Sequence, residues 1–256
     1  MAENLRGMGK IPKFFVTSDI HGFFDEFKKA LDEAGFDENN ENHWMIVCGD
    51  YFDRGNQPIL VMRYLQNLPR KILIRGNHEQ LLEELCKRGF PYKHDFSNGT
   101  YNTGCYLGLA SDDGYNKALK KVKPFFKSMV NYFETKNYIF VHSWVPVKNV
   151  EGFHAYYTED SIFEFNPDWR NASQKEWEDA MWGNPYDMIA KGLLPDKTIV
   201  FGHWHCSTGW AKSKGYAEFG ENAKFDPYYG NGFISIDACT AYSGKCNVIV
   251  LEDDFL

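Results

Sequence analysis

Five apolar runs in this chain each break off at a short polar motif: KFFVT before SDIHG, WMIVC before GDYFDRG, KILI before RGNHE, NYIFV before HS, and KTIVF before GHWH. Runs of this length, rich in aromatic and β-branched residues, are the pattern of buried strands. Charged and imidazole side chains at the carboxyl end of a buried strand sit at the open edge of a sheet, where α/β proteins assemble their sites. The pattern limits the chain to an α/β fold with a polar crevice along one sheet edge.

Between the runs the apolar spacing becomes helical. Phe24, Phe27, Ala30, Leu31 and Ala34 share one face of a helix predicted over 24–34. A second helix is predicted over 58–68, with a proline near its start, and a third over 79–87. With strands at 13–18, 44–48 and 71–74, the first ninety residues read as consecutive βα units feeding a largely parallel sheet through right-handed crossovers. Residues 89–114, rich in Gly, Asn, Ser and aromatic residues, predict a surface insertion that covers a site. A helix over 115–129 follows, then strands at 131–135 and 138–141. Residues 145–195 read as a second, irregular insertion with a short helix at 174–181. Strands at 198–201, 232–237 and 247–251 make a strand-heavy half that fits a second sheet packed on the first. A chain of 256 residues holds this in a single domain.

Composition narrows the partners. A net charge of −7 argues against binding nucleic acid through a global basic field, so an anionic substrate must be drawn by local charge. The six cysteines form no C-x-x-C pair and no dense disulfide pattern, which suits reduced thiols. The N-terminal MAENLRGMGKIPK has no apolar signal segment, and no stretch approaches the ~20 apolar residues of a membrane span. A cytoplasmic protein is expected.

Taken singly, an aspartate after a strand is an ordinary helix cap, and a histidine is an ordinary hydrogen-bonded residue. Five strand ends carrying the same kind of residue are not explained that way. Asp19, His21, Asp50, Asn77, His142 and His203 form a mixed oxygen and nitrogen set without a thiolate, which suits divalent ions such as Mn, Fe, Zn, Co or Mg. The set is too large for one catalytic ion. Two ions sharing a bridging carboxylate use it fully, as in phosphatases, nucleases and aminopeptidases. Arg54 and Arg75 select among these, because guanidinium forks match phosphate oxygens.

SDIHG, GDYFDRG and RGNHE in this order, followed by isolated histidines, resemble the calcineurin-like metallophosphoesterases, and GDYFDRG with RGNHE look like the phosphoprotein phosphatases that act on Ser and Thr. The looser likeness runs from about residue 13 to residue 252, with the tail IDACTAYSGKCNVIVLED similar to bacterial and phage members. The resemblance implies an α/β fold in which two mixed β-sheets pack as a central sandwich flanked by helices. It also implies roles: Asp19 and His21 as ligands of a first ion, Asp50 as the bridge, and Asn77, His142 and His203 as ligands of a second. His78 becomes the general acid with Asp53 orienting it, Arg54 and Arg75 bind phosphate together with Asn77, and Tyr242 lies near the site. The second histidine of GHWH, His205, resembles one that completes the first ion's shell in the wider superfamily, so His205 is expected as a further ligand.

Two departures stand out. Ser18 replaces a glycine of the first motif, and MWGNP at 181–185 resembles a Leu-Trp-Ser-Asp-Pro-like segment, yet no arginine follows Arg170 to supply a second phosphate grip. The expected activity is two-metal hydrolysis of phosphomonoesters on a phosphoprotein or small phosphoester, with manganese the first candidate ion and nickel among the others. A dinucleoside polyphosphate hydrolase of the diadenosine tetraphosphate type is the alternative. A non-catalytic phosphate-binding module is the remote one, since no residue of the set is missing.

Overall fold

The computed structural model describes residues 11–151 and 162–256. The elements follow the order β1 (Lys13–Thr17), α1 (Phe24–Ala34), β2 (His43–Cys48), α2 (Pro58–Asn67), β3 (Lys71–Ile74), α3 (Asn77–Arg88), α4 (Lys93–Asn98), α5 (Thr100–Leu107) and α6 (Gly114–Phe126). After these come β4 (Tyr132–Glu134), β5 (Tyr138–Val141), β6 (Lys148–Glu151), β7 (Ile162–Glu164), a 3-10 turn at Trp169–Asn171, α7 (Gln174–Ala180) and α8 (Pro185–Ala190). The chain closes with β8 (Thr198–Phe201), α9 (Cys206–Lys214), β9 (Tyr228–Gly230), β10 (Phe233–Ser235), α10 (Thr240–Ser243) and β11 (Ile249–Glu252).

Two mixed sheets carry the fold. One has the order β11-β1-β2-β3, the other β4-β5-β8-β10-β9, and a separate β6-β7 pair stands beside them. In the first sheet β1, β2 and β3 are parallel and β11 is antiparallel. In the second β5, β8 and β10 are parallel, with β4 and β9 antiparallel at the edges. The period-2 alternation of strand side chains sorts the apolar runs into layers. Phe14, Val16, Ile46, Cys48, Phe140, Val200, Ile234 and Ile236 face one another between the sheets. Phe15, Met45, Val47 and Leu73 point the other way and pack against Phe27, Leu31, Val61, Leu65 and Val122 of α1, α2 and α6. Ile139, Val141, Ile199 and Phe201 turn outward to Trp144, Trp169, Trp177 and Tyr186. The sandwich flanked by helices is the expected fold.

Several elements differ from the sequence expectation for identifiable reasons. Helix α3 begins at Asn77 rather than Glu79, because the Glu79 carboxylate accepts the Gly76 N–H at 2.9 Å and caps the turn two residues earlier. The segment 89–114 holds two short helices, α4 and α5, in place of irregular chain. Its glycines are helix ends: Gly89 and Gly99 adopt φ 81° and 85°, the left-handed C-cap conformation. Within 145–195 lie β6, β7, α7 and α8, and α9 occupies a segment with little amphipathic pattern. The expected strand at 232–237 is confined to Phe233–Ser235. Part of the second expected insertion, 152–161, lies outside the described residues. Among the described residues no helix is long and apolar enough to cross a membrane.

Candidate active site

The parallel strands β1, β2, β3, β5 and β8 end on the same side, and the polar motifs that follow them converge there. The backbone turns sharply to aim them. Asp19, His21, Asp50, Asp53, Arg54 and His203 all have positive φ, between 48° and 73°. Left-handed backbone at non-glycine residues costs on the order of 1–3 kcal/mol each and persists only where surrounding contacts enforce it. The glycines of the motifs permit close approach. A Cβ on Gly76 would lie 2.2 Å from Asp50 Oδ1, and one on Gly49, itself at φ 86°, would lie 2.5 Å from His142 Nδ1.

Asp50 is the hub. Its Oδ1 accepts the His78 N–H at 3.1 Å and lies 3.4 Å from His142 Nε2, while its Oδ2 lies 3.6 Å from His21 Nε2. Glu79, wholly buried, holds the Asp50 turn from behind by accepting the N–H groups of Asp50 and Tyr51 at 3.1 and 3.0 Å. Asp19 Oδ2 accepts the His203 N–H at 2.9 Å, which ties the β1 end to the β8 end. His21 and His142 each give Nδ1 to a backbone carbonyl, Phe52 O at 2.7 Å and Cys48 O at 2.8 Å, which leaves Nε2 facing inward.

Burial raises the Asp50 carboxyl, but the imidazoles of His142, His78, His21 and His203 outweigh it and hold the group well below the carboxylate range. Asp19 is pushed well above that range by burial, then by the charges of Asp237 and Asp50. Burial and the neighbouring His142 depress the His203 imidazole to about 3, and burial with the nearby Arg54 charge lowers His21 as well. His78 moves the other way: burial lowers it, yet Asp50 and the Asp53 hydrogen bond raise it above the ordinary imidazole value. His78 Nδ1 lies 2.6 Å from Asp53 Oδ2, which also accepts the Thr100 hydroxyl at 2.7 Å, while Thr103 Oγ1 accepts the Asp53 N–H at 3.0 Å. Helix α5 therefore buttresses the Asp53–His78 pair from the segment read as an insertion.

These residues suit divalent ions. His21, Asp50 and His78 form one group of possible donors, and Asp50, His142 and His203 form another, with donor atoms within 4.8 Å of one another in each. Asp50 belongs to both. The imidazoles of the second group are held neutral, the form that ligates metal. A neutral imidazole has one N–H, yet His142 meets two acceptors, Cys48 O and, at 2.8 Å from Nε2, Asn77 Oδ1. Rotation of the Asn77 amide would bring Nδ2 to the same nitrogen, so the fit to a cation lies in the donor set itself, one carboxylate shared by two groups of imidazoles.

A cleft of about 180 Å³ opens on the cluster, lined by Asp19, His21, Asp50, Arg54, Asn77, His78 and His203 and also by Leu81, Asn98, Trp182 and Asp237. Arg54 makes no ion pair or hydrogen bond through its guanidinium among the described residues and is free to meet an anion. Arg75 and His205 are not brought into the cleft. Arg75 pairs with Glu83 and lies over the Phe126 ring at 5.4 Å. His205 bonds Ser207 Oγ at 2.8 Å, lies 3.7 Å from Glu218 Oε1 and packs against Phe219. The expectation that His203 and His205 project to one side assumed extended chain, whereas His203 sits at φ 63° and reverses the direction. Tyr242 accepts the Gly220 N–H and joins Phe219 and Phe225, away from the cleft lining. Arg170, the last arginine of the chain, is occupied by Glu134 and Asp196.

Asp237 was not among the expected residues, although ISID repeats the pattern of a strand ending in a carboxylate. Glu79 and Thr100 were missed because their partners are backbone groups and side chains remote in sequence. Trp182 brings the MWGNP segment to the cleft wall.

A sequence model described as calcineurin-like phosphoesterase matches residues 12–207. The chain is similar to proteins named bis(5'-nucleosyl)-tetraphosphatase, symmetrical, from Wigglesworthia glossinidia brevipalpis, with 38% identity over 66 residues, 25% of this chain and 24% of the other. The protein of the same name from Hamiltonella defensa is 35% identical over 66 residues, 25% of this chain and 23% of its own length. The match thus spans about a quarter of these relatives. In structure the chain is similar to a protein serine/threonine phosphatase from Saccharomyces cerevisiae, with TM-score 0.52, 12% identity, and 96% and 82% of the two chains covered. It is also similar to a cold-active protein-tyrosine phosphatase of a Shewanella species, with TM-score 0.51, 16% identity, and 94% and 76% covered. At these identities the likeness concerns the fold.

Proposed function

The chain belongs to the calcineurin-like phosphoesterase family, and on that premise we propose that this phosphoester hydrolase cleaves dinucleoside tetraphosphates with the help of two divalent ions in the cleft. One observation carries the two-metal reading: Asp50 presents Oδ1 towards His142 and Oδ2 towards His21, a single carboxylate shared by two donor groups. Ions held by Asp19, His21, Asp50, Asn77, His142 and His203 would supply Lewis-acid polarisation of the phosphoryl oxygens and a lowered pKa for the attacking water. The protein residues do the rest. Arg54 offers an unpaired guanidinium to the phosphate oxygens. His78 delivers a proton from Nε2 to the leaving oxygen, while Asp53 holds Nδ1–H and so sets the tautomer and the direction of the ring.

The dinucleotide is favoured over a phosphoprotein by the curated relatives, whose names specify symmetrical tetraphosphatases. The structural likeness to protein phosphatases bears on the fold and does not weigh against this. The test is a substrate panel. Metal-stripped protein, reconstituted with Mn, Co, Ni, Zn or Mg, is assayed on diadenosine tetraphosphate, phosphopeptides, an aryl phosphate and a bis-aryl diester. Metal-dependent cleavage of the tetraphosphate into two nucleoside diphosphates is expected, faster than release of phosphate from the peptides. Turnover of phosphopeptides with the tetraphosphate left intact would return the chain to the protein phosphatases.

A further inference from the structure

Asp237 lines the cleft and is only 6% exposed. It follows β10, which runs parallel to β8 in a register that pairs Ser235 with Phe201. The Ile236 N–H bonds Phe201 O at 3.0 Å, and the Cys206 N–H bonds Asp237 O at 2.8 Å, so the backbone around Asp237 is tied to the end of β8 and to the start of α9. One carboxylate oxygen, Oδ1, accepts the Cys239 N–H at 2.7 Å. The other has no hydrogen-bond partner among the described residues. That oxygen opens onto the cleft rather than being sealed inside the protein, so a cation or ordered water can meet it there.

The cleft thus holds three carboxylates, Asp19, Asp50 and Asp237, and among its lining residues Arg54 is the lone permanent cation. Asp19 and Asp237 line the same small cleft. Like charges in a small buried space repel, and a divalent ion between them reverses the sign of the interaction. At that end of the cleft the expected protein ligands are few, Asp19, His21 and Asp50, because His205 is turned away towards Glu218.

We propose that Asp237 is a further carboxylate of the metal centre, one that strengthens the hold on the divalent ion at the Asp19–His21–Asp50 end. The proposal rests on the two-metal reading of the cleft and adds a residue to it. Mn uptake by metal-free protein, followed by titration calorimetry, tests it in the wild type and in Asp237→Asn. Asparagine keeps the Oδ1 acceptor for Cys239, so the turn is retained. The expected result is two binding events in the wild type, with one of them weakened by ~10- to 100-fold in the variant and the other unchanged, while the Tm of the metal-free protein does not fall. Wild-type affinity for both events in the variant would overturn the proposal and leave the two-metal reading standing. A lowered metal-free Tm with both events lost would also overturn it, making Asp237 a structural acceptor for Cys239. No uptake by the wild type would overturn both readings together.

Discussion

His78 touches two carboxylates with different consequences, and the difference decides its role. Its Nδ1 lies 2.6 Å from Asp53, whereas its Nε2 stays 3.9 Å from Asp50 and faces the cleft. A ring held this way is placed to give up a proton from Nε2. His78→Asn is expected to slow turnover by ~10²- to 10⁴-fold on substrates with poor leaving groups, and much less on a nitrophenyl ester whose leaving group scarcely needs a proton. Metal content, read by atomic emission, should not change; lost metal would recast His78 as a ligand. Arg54 is exposed and makes no ion pair among the described residues, so its removal disturbs little else there. Arg54→Ala should lower kcat/KM by roughly 10- to 100-fold, the size of a lost charge-assisted hydrogen bond, with full metal occupancy. His205→Gln provides the contrast: its ring serves Ser207 and Glu218, so both metal-binding events should persist at wild-type strength.

At the end of the second sheet opposite the cleft, strands and the 3-10 turn are joined by a charge network whose pH dependence follows from its partners. Glu134 on β4 accepts from Arg170 in the 3-10 turn at 2.7 Å and from Lys197 just before β8 at 2.8 Å. Burial raises its carboxyl, but the two cationic donors outweigh burial and hold it below the ordinary glutamate value. Asp196, burial likewise outweighed by Arg170, is also lowered. A depressed acid stabilises the fold at pH values above its unfolded pKa, and that contribution is lost as pH falls through the folded pKa. Urea midpoints should therefore drop as pH is lowered below the ordinary glutamate range. Glu134→Gln should lower the midpoint at pH 7 and make the acid-side profile shallower; an unchanged profile would show that the network contributes nothing to stability.

At the scale of the whole molecule, the candidate ligands come from both sheets. Asp19, His21 and Asp50 follow strands of the first, and His142 and His203 follow strands of the second. Ions bound between them would tie the two sheets together at one end, in addition to the apolar contacts of Phe14, Val16, Phe140 and Val200 along the interior. Binding to the native state stabilises by mass action, about 2.7 kcal/mol per site at a hundredfold excess over Kd. Chelation should lower Tm and abolish hydrolysis together, and Mn should restore both. Undiminished turnover after thorough stripping would end the two-metal reading. The interior apolar layer acts separately: Phe140→Ala is expected to destabilise by about 3–5 kcal/mol in chemical denaturation, with metal stoichiometry retained.

Local patterns were enough to identify the strands that carry the motifs and most of the candidate ligands, because a buried strand is apolar over consecutive residues and its polar ending is contiguous with it in sequence. Asp19, His21, Asp50, Asn77, His142 and His203 were legible for that reason. The positions of His205 and Arg75 were not, since each depends on where a side chain finds its partner: Glu218 for one, Glu83 for the other. Helices α4 and α5 were hidden because glycine marks a helix end and a loop alike until the next turn is seen. Glu79 and Thr100 gain their roles from Tyr51 and Asp53, 28 and 47 residues away in the chain, and Asp237 gains its place by lining the cleft with Asp19 and Asp50. Composition and periodicity determined which strands would form and what chemistry they could carry. Only the tertiary structure decided which groups meet, because meeting depends on strand order, register and the reversals of backbone at Asp50 and His203, none of which is encoded within a single run of residues.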